Sequence, residues 1–358
     1  MPVRPTAIHR LIQAMPKAEL HLHLDGCLRP LTALELAAER HLAAPGEWTG
    51  MFDALVAPDG PSSQEELLRA FDLPIALMQD EDALARITDD LIADKAADRV
   101  RYLEIKWAPA VHCAGGLSLD DVIVAVATAA AAAAQRHGVT ATLTVVAMRA
   151  HDPAFNVEVA EAAVRHHALG VTGFDLAGYE LRDPDVLRHA DAFTVARAGG
   201  LGCTVHAGEV ADDADLVRNA LALDPDRIAH GATAIHDDEL CATLIERGLT
   251  LDICPSSNLQ AGTVQRFADH PLPQLVRRGV PVTINTDDTT ISNVTLSEEL
   301  IACHDELGLT VGEIWGCTRQ ALDVAFVDHE QRVALVEEFE RWSPVVAGAD
   351  DGRGVDRR

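Results

Sequence analysis

Eight short apolar, β-branched segments recur along this chain, near 19–24, 101–107, 140–147, 171–177, 202–207, 227–230, 249–254 and 280–285. Helical patterns separate them at 64–98, 118–137, 155–168, 185–199, 211–222, 236–247 and 270–278. Parallel strands need a long crossover, and a helix supplies it. The alternation therefore predicts an α/β fold, a (β/α)8 TIM-type barrel forming one domain over 1–346. A doubly wound sheet with an appended helical domain is the alternative.

The gap from the first strand to the second is much longer than a βα unit needs. It holds a Pro/Gly-rich loop, Ala43 to Ser63, then helices around Glu65–Met78 and Asp82–Ala97. An insertion after a barrel strand sits at the catalytic mouth and could act as a lid. Extra helices at 297–307 and 311–342 are expected to pack outside the barrel, and 347–358, with no apolar period, is expected to be disordered. The Ala-rich stretch 122–134 reads as a helix that starts at Asp120-Asp121 and stops at Gly138.

A hydrophobic fraction of 48% with only 4% aromatic residues predicts a large aliphatic core. The net charge of -27 argues against nucleic acid or an anionic membrane as partner, since both carry the same sign. Seven widely spread cysteines without a Cys-x-x-Cys pair indicate neither a disulfide framework nor a thiolate knuckle. With no apolar signal core or membrane-length run, a reducing, cytoplasmic location is expected. Oligomeric state is not legible.

The chemistry is carried by polar residues at strand ends. His21 and His23 are two apart on the first strand, so they share one face. Asp25 follows them. Asp175 and Gly178 close the fourth strand, His206 and Glu209 the fifth, His230 the sixth, and Asp287-Asp288 the eighth. In a barrel all these ends open onto one mouth. Each has a plain structural alternative. A chain with 16 histidines in 358 residues carries about one His-x-His pair by chance. His206 could be a satisfied core histidine, His230 a loop histidine bonded to backbone, and Asp287-Asp288 a helix cap. His166, His167, His189 and His304 are expected at the surface. Together, His21, His23, His206 and Asp287 could hold one Zn²⁺ with room for water, whose pKa zinc lowers toward about 7. Glu209 then suits a general acid, and His230 a base or an electrostatic partner.

Pro16-Lys-Ala-Glu-Leu-His-Leu-His-Leu-Asp-Gly26, Asp175-Leu-Ala-Gly178, Thr204-Val-His-Ala-Gly-Glu209, Arg227-Ile-Ala-His-Gly231, Cys254-Pro-Ser-Ser-Asn258 and Asn285-Thr-Asp-Asp288 together resemble the adenosine deaminases, in order along about residues 10–340. The resemblance implies one zinc per chain on His21, His23, His206 and Asp287. It implies that Glu209 protonates purine N1 and His230 assists the attacking water. Asp288 would meet N7, the Gly178 N–H would meet N3, and Asp25 would hold a ribose hydroxyl. Adenosine and 2′-deoxyadenosine would become inosine and 2′-deoxyinosine plus ammonia. Phe71–Gln79 and Thr289–Leu296 look nucleoside-type. Tyr179 departs from the Asp that follows this glycine in many relatives, which keeps open a modified adenosine such as 6-amino-6-deoxyfutalosine. Free adenine also stays open. The readings outside deamination are another barrel metal hydrolase, which would normally add a carboxylated lysine, and a non-catalytic metal-binding protein.

Overall fold

The computed structural model describes residues 5–58, 60–210 and 214–343. Its strands are β1 Lys17–His23, β2 Val100–Trp107, β3 Thr140–Met148, β4 Val171–Ala177, β5 Gly202–Ala207, β6 Arg227–His230, β7 Thr250–Ile253 and β8 Val282–Ile284. They pair in chain order, every neighbour parallel. The first and last strands meet through a bridge between Leu22 and Asp287. The His23 N–H donates to the Asp287 carbonyl at 2.8 Å, and the Asp287 N–H donates to the His21 carbonyl at 3.1 Å. Asn285 completes the seam, its Oδ1 accepting the N–H groups of Leu20 at 2.8 Å and His21 at 3.2 Å. A doubly wound sheet has no such contact between its edges, so the barrel is the architecture.

Alternation along β1 sorts its side chains. Leu20 and Leu22 are fully buried in the main hydrophobic core, while His21 and His23 share the opposite face. Charge fills much of the barrel interior, and it is paired. Lys106 Nζ donates to Asp175 Oδ2 and to Thr204 Oγ1, both at 2.8 Å. Arg227 bonds Glu104 and Asp252 and lies 3.9 Å from the centre of the Phe326 ring. Breaking one partner of such a pair costs about 3–5 kcal/mol, because the other charge stays buried and uncompensated.

The outer helices follow their local signals. Leu119–His137 starts at a Ser118–Asp121 capping box and stops at Gly138, whose φ of 66° suits glycine. Three expectations need correction. The Ala43–Ser63 segment is not all loop, since Trp48–Leu55 is helical, and Pro30–Glu39 forms a further helix before it. The stretch 64–78 is two helices, Gln64–Arg69 and Asp72–Leu77. Pro74 cannot donate a helical hydrogen bond, and it is tolerated only because the helix restarts just before it. The stretch 311–342 likewise divides into Val311–Asp323 and His329–Glu340, the second capped by Asp328. Of the expected helix at 211–222, the described part is Ala214–Ala220. The tail 347–358 lies outside the described residues. Among them no helix is long and apolar enough to cross a membrane.

Candidate active site

The strand ends bring three imidazoles to one point. Nε2 of His21 lies 3.2 Å from Nε2 of His23 and 3.0 Å from that of His206, and the last two are 3.1 Å apart. Asp287 Oδ1 lies 3.0 Å from His21 Nε2 and 3.4 Å from His23 Nε2. Four ligands at about 2.0–2.1 Å around a tetrahedral zinc sit about 3.3 Å from one another. Five of the six separations within this set of four atoms are thus close to the edge length of a zinc site. Burial favours the neutral, ligating form of each ring and lowers the pKa of His21, His23 and His206. Burial opposes charge on Asp287, but the imidazoles of His21, His230 and His23 outweigh it and hold its pKa well below the usual range.

A second grouping, His21, His206, His230 and Asp287, is also compact, its possible ligand atoms all within 4.8 Å. His230 is the weaker candidate. Its Nε2 is 3.7 Å from the other Asp287 oxygen, and its hydrogen bonds leave a proton on that nitrogen. The Leu272 N–H donates to His270 Nδ1 at 3.1 Å, so this nitrogen is an acceptor. Burial lowers the His270 pKa to about 3, so the ring is neutral and carries its proton on Nε2, facing Asn258 Oδ1 at 3.2 Å. That turns the Asn258 amide to donate to His230 Nδ1 at 3.2 Å. The proton of His230 is left on Nε2, which has no hydrogen-bond partner among the described residues.

The surroundings orient the cluster. Asp175 Oδ2 lies 2.9 Å from His206 Nδ1, directing Nε2 inward. Ser257 Oγ donates to Asp287 Oδ2 at 2.7 Å and leaves Oδ1 to the imidazoles. Asp287 and His230 both hold left-handed backbone, each with φ of 64°. Such a conformation costs a non-glycine residue roughly 1–2 kcal/mol.

Glu209 stands beyond the cluster. Gly208, with φ of 74°, packs where a Cβ would meet Thr233 and Val217 at 2.6 Å, so the chain turns there out of β5. The Glu209 Oε2 accepts from Gln64 Nε2 at 2.6 Å and lies 3.8 Å from His230 Nε2. Burial first, and the Asp287 charge second, push its pKa up to about 8. Asp288 nests against Gly26, where an added Cβ would lie 1.7 Å from its Oδ1. Burial and then the charges of Asp287, Asp25 and Glu209 raise its pKa well above the carboxylate range. The helix after this pair begins at Leu296 with Thr295 as its cap, so Asp287 and Asp288 do not cap it. Oδ1 of Asp25 and Oδ1 of Asp288 are buried without a hydrogen-bond partner among the described residues. These groups border a cavity of about 270 Å³ that continues past Phe71 and Ile75 of the insertion to Gly178, Tyr179, Arg182 and Asp183.

Comparison with known proteins meets this geometry. The adenosine deaminase family model matches residues 16–342. The chain belongs to the adenosine deaminase family. An adenosine deaminase of Clostridium kluyveri is 32% identical over 333 residues, covering 93% of this chain and 95% of that one. A solved amidohydrolase from Burkholderia ambifaria with bound zinc is 27% identical, covers 97% of each chain and superposes with a TM-score of 0.86. A solved adenine deaminase from Arthrobacter aurescens is 26% identical, covers 92% of this chain and 100% of that one, and gives a TM-score of 0.85.

All nine residues expected to carry adenosine deaminase chemistry gather at this mouth. His21 and Asp287 sit in the cluster, and His23, Asp25, Gly178, His206, Glu209, His230 and Asp288 line the cavity with Asp287. Of the histidines expected at the surface, His167 is exposed and His189 is not. His189 is buried rather than at the surface, with Nδ1 3.0 Å from Asn156 Nδ2, because the short 186–189 turn tucks it inward. His166 and His304 are half-buried, held by Asp120 and the Leu309 carbonyl. Gln64, Glu180, Ser257, Asn258 and His270 drew no functional reading. For Ser257 and Asn258 a signal existed, since both lie within the Cys254–Asn258 motif. Lys106, inside the barrel, is held by Asp175 and Thr204.

Proposed function

We propose that the protein is a zinc-dependent aminohydrolase converting adenosine and 2′-deoxyadenosine to inosine and 2′-deoxyinosine with release of ammonia. One observation carries this. Two buried carboxyl groups whose environment favours the protonated form, Glu209 and Asp288, face the same cavity as the His/Asp cluster. Attack of water at C6 of a purine needs a proton delivered to N1, and N7 needs a donor opposite it. The ligands would be His21, His23, His206 and Asp287, and one bound Zn²⁺ supplies a water acidified toward a pKa of about 7.

In this reading Glu209 gives its proton to N1 and draws electron density from C6 as water attacks. His230 presents an N–H rather than a lone pair. It therefore orients the attacking oxygen and stabilises its charge, and a role as base is dropped. Protonated Asp288 donates to N7, the Gly178 N–H donates to N3, and Asp25 Oδ1 accepts from a ribose hydroxyl. The cavity beyond these groups would be left unfilled by a free base, which favours a nucleoside over adenine. Tyr179 on the cavity wall supports a second reading, a modified adenosine such as 6-amino-6-deoxyfutalosine. The acidic chain suits a small diffusible substrate in the cytoplasm, without nucleic acid or membrane as partner. The test is the ultraviolet absorbance change on mixing zinc-loaded protein separately with adenosine, adenine and the modified nucleoside. Adenosine is expected to turn over best. Preference for adenine would overturn the nucleoside reading, and no change with any of them would overturn deamination.

A further inference from the structure

Gln64 begins the first helix after the Pro/Gly-rich part of the insertion, yet it is only 3% exposed. Its side chain spans two groups of the barrel mouth. Oε1 accepts the backbone N–H of Glu180 at 2.9 Å, and Nε2 donates to Glu209 Oε2 at 2.6 Å. A backbone N–H can only donate, so it fixes which end of the amide faces which partner. Glu180, itself fully buried, is anchored in turn, its carboxylate accepting the N–H groups of Gly208 at 2.9 Å and Glu209 at 2.8 Å. The Gln64 amide, Glu180 and Glu209 thus form one closed ring of hydrogen bonds that includes the Glu209 carboxyl.

We propose that Gln64 is a positioning residue that decides which oxygen of Glu209 carries the transferable proton. An oxygen facing an amide N–H must be an acceptor. Oε2 is therefore the carbonyl-type oxygen of protonated Glu209, and the proposal places the proton on Oε1, the oxygen that would meet a substrate. Since Gln64 belongs to the insertion, this arrangement exists only while the start of the 64–69 helix is seated on the barrel. The segment thereby both covers the cavity and readies the acid. The inference rests on the reading of Glu209 as the general acid.

The test uses the full-length, zinc-loaded protein and two variants. Gln64→Met keeps the length of the side chain and removes both hydrogen bonds. Gln64→Glu keeps the shape and, while protonated, both hydrogen-bonding ends. Infrared difference spectra against Glu209→Gln isolate the carboxyl C=O stretch of Glu209 without reference to turnover. In Gln64→Met this band should move to higher wavenumber, because the carbonyl oxygen loses its donor. With adenosine, kcat should fall roughly ten- to hundredfold, the scale of a misplaced reacting group, while KM changes less than about threefold. In Gln64→Glu the alkaline limb of kcat should already fall at lower pH, as the introduced carboxyl ionises, since an ionised neighbour no longer donates to Oε2 and instead draws the Glu209 proton onto that oxygen. A loss that comes only from poor packing would lower both variants alike without moving that limb. An unmoved C=O band in Gln64→Met overturns the proposal. A moved band in a protein that deaminates nothing leaves the hydrogen bond standing and overturns the functional reading instead. Should Gln64→Met fail to fold, the Gln64→Glu pH profile decides, and an unshifted limb refutes the proposal.

Discussion

Asn258 holds His230 in a single tautomer, its amide 3.2 Å from His230 Nδ1 and its own orientation set by His270 behind it. The consequence is chemical, since a ring protonated at Nε2 can donate to an attacking oxygen and cannot take its proton. Asn258→Asp offers an acceptor in place of the donor and should draw the proton to Nδ1. We expect kcat to drop by roughly 10² to 10⁴-fold with bound zinc unchanged. Nitrogen NMR of the His230 ring checks the tautomer, and a ring still protonated at Nε2 in the variant would undo the relay.

The proposed ligand set predicts a graded loss of metal. His21→Ala, His23→Ala and His206→Ala should each release the ion at concentrations where the parent stays loaded. Asp175→Asn and Ser257→Ala touch ligands rather than metal and should weaken binding about 10- to 100-fold. Titration against a competing chelator measures both. If His230→Ala loses zinc and His23→Ala keeps it, the second grouping of four is the real site.

As the proposed general acid, Glu209 should set the alkaline side of the pH profile. Its carboxyl must be protonated to act, so kcat should fall as pH rises through its pKa of about 8. Part of that elevation comes from the Asp287 charge, which a bound cation offsets, so the limb should lie at or somewhat below pH 8. Glu209→Gln should retain zinc and lose about 10² to 10⁴-fold in kcat. Loss of zinc together with activity would make Glu209 a ligand.

Asp288 and purine N7 can be tested as a pair. Asp288→Ala should lower kcat/KM for adenosine by the equivalent of about 1–3 kcal/mol, the cost of an unmade buried hydrogen bond. A 7-deaza analogue lacks the N7 acceptor and should be poor with the parent, yet lose little more in the variant. Additive losses would remove the N7 contact.

Glu299 makes a stability prediction away from the cavity. Burial raises its pKa from 4.5 to about 7, opposed by the Ser256 hydroxyl and N–H that it accepts. A carboxyl with a raised folded pKa favours the folded state below its unfolded pKa, and that contribution is lost as pH climbs from about 4.5 through 7. By pH 8 the loss is about 3 kcal/mol. Glu299→Gln should flatten this part of the pH–stability curve, which chemical denaturation at several pH values measures. A variant with an unchanged slope would exclude Glu299 as the source.

The strands, and the gathering of the candidate site residues at one mouth, were legible in the sequence for the same reason. Strand composition is local, and a barrel places every strand end at one mouth, so Asp25, His206 and Asp288 needed no knowledge of one another. Gln64, Asn258 and His270 were not legible because their roles exist only in pairings across the fold. Gln64 meets a carboxyl 145 positions away, and nothing around it distinguishes it from a surface helix start. The Trp48–Leu55 helix was hidden by Pro45, Gly46 and its own Gly50, which read as loop. Packing of Met51 and Leu55 into the core overrides that local preference.

The seam between β1 and β8 dates the site within the life of the chain. Asn285 reaches back 264 positions to His21, and contacts of such separation close late in folding. On the ribosome His21 and His23 emerge early, His206 follows, and all three wait for Asp287, so a nascent chain lacks the last of the four proposed ligands. Until then β1 presents the unpaired N–H groups of Leu20 and His21 along an open edge, a template for wrong pairing. In the proposed reading, completion of the ion's ligand set and closure of the ring coincide, and a chain cut before residue 285 would leave that edge of β1 open.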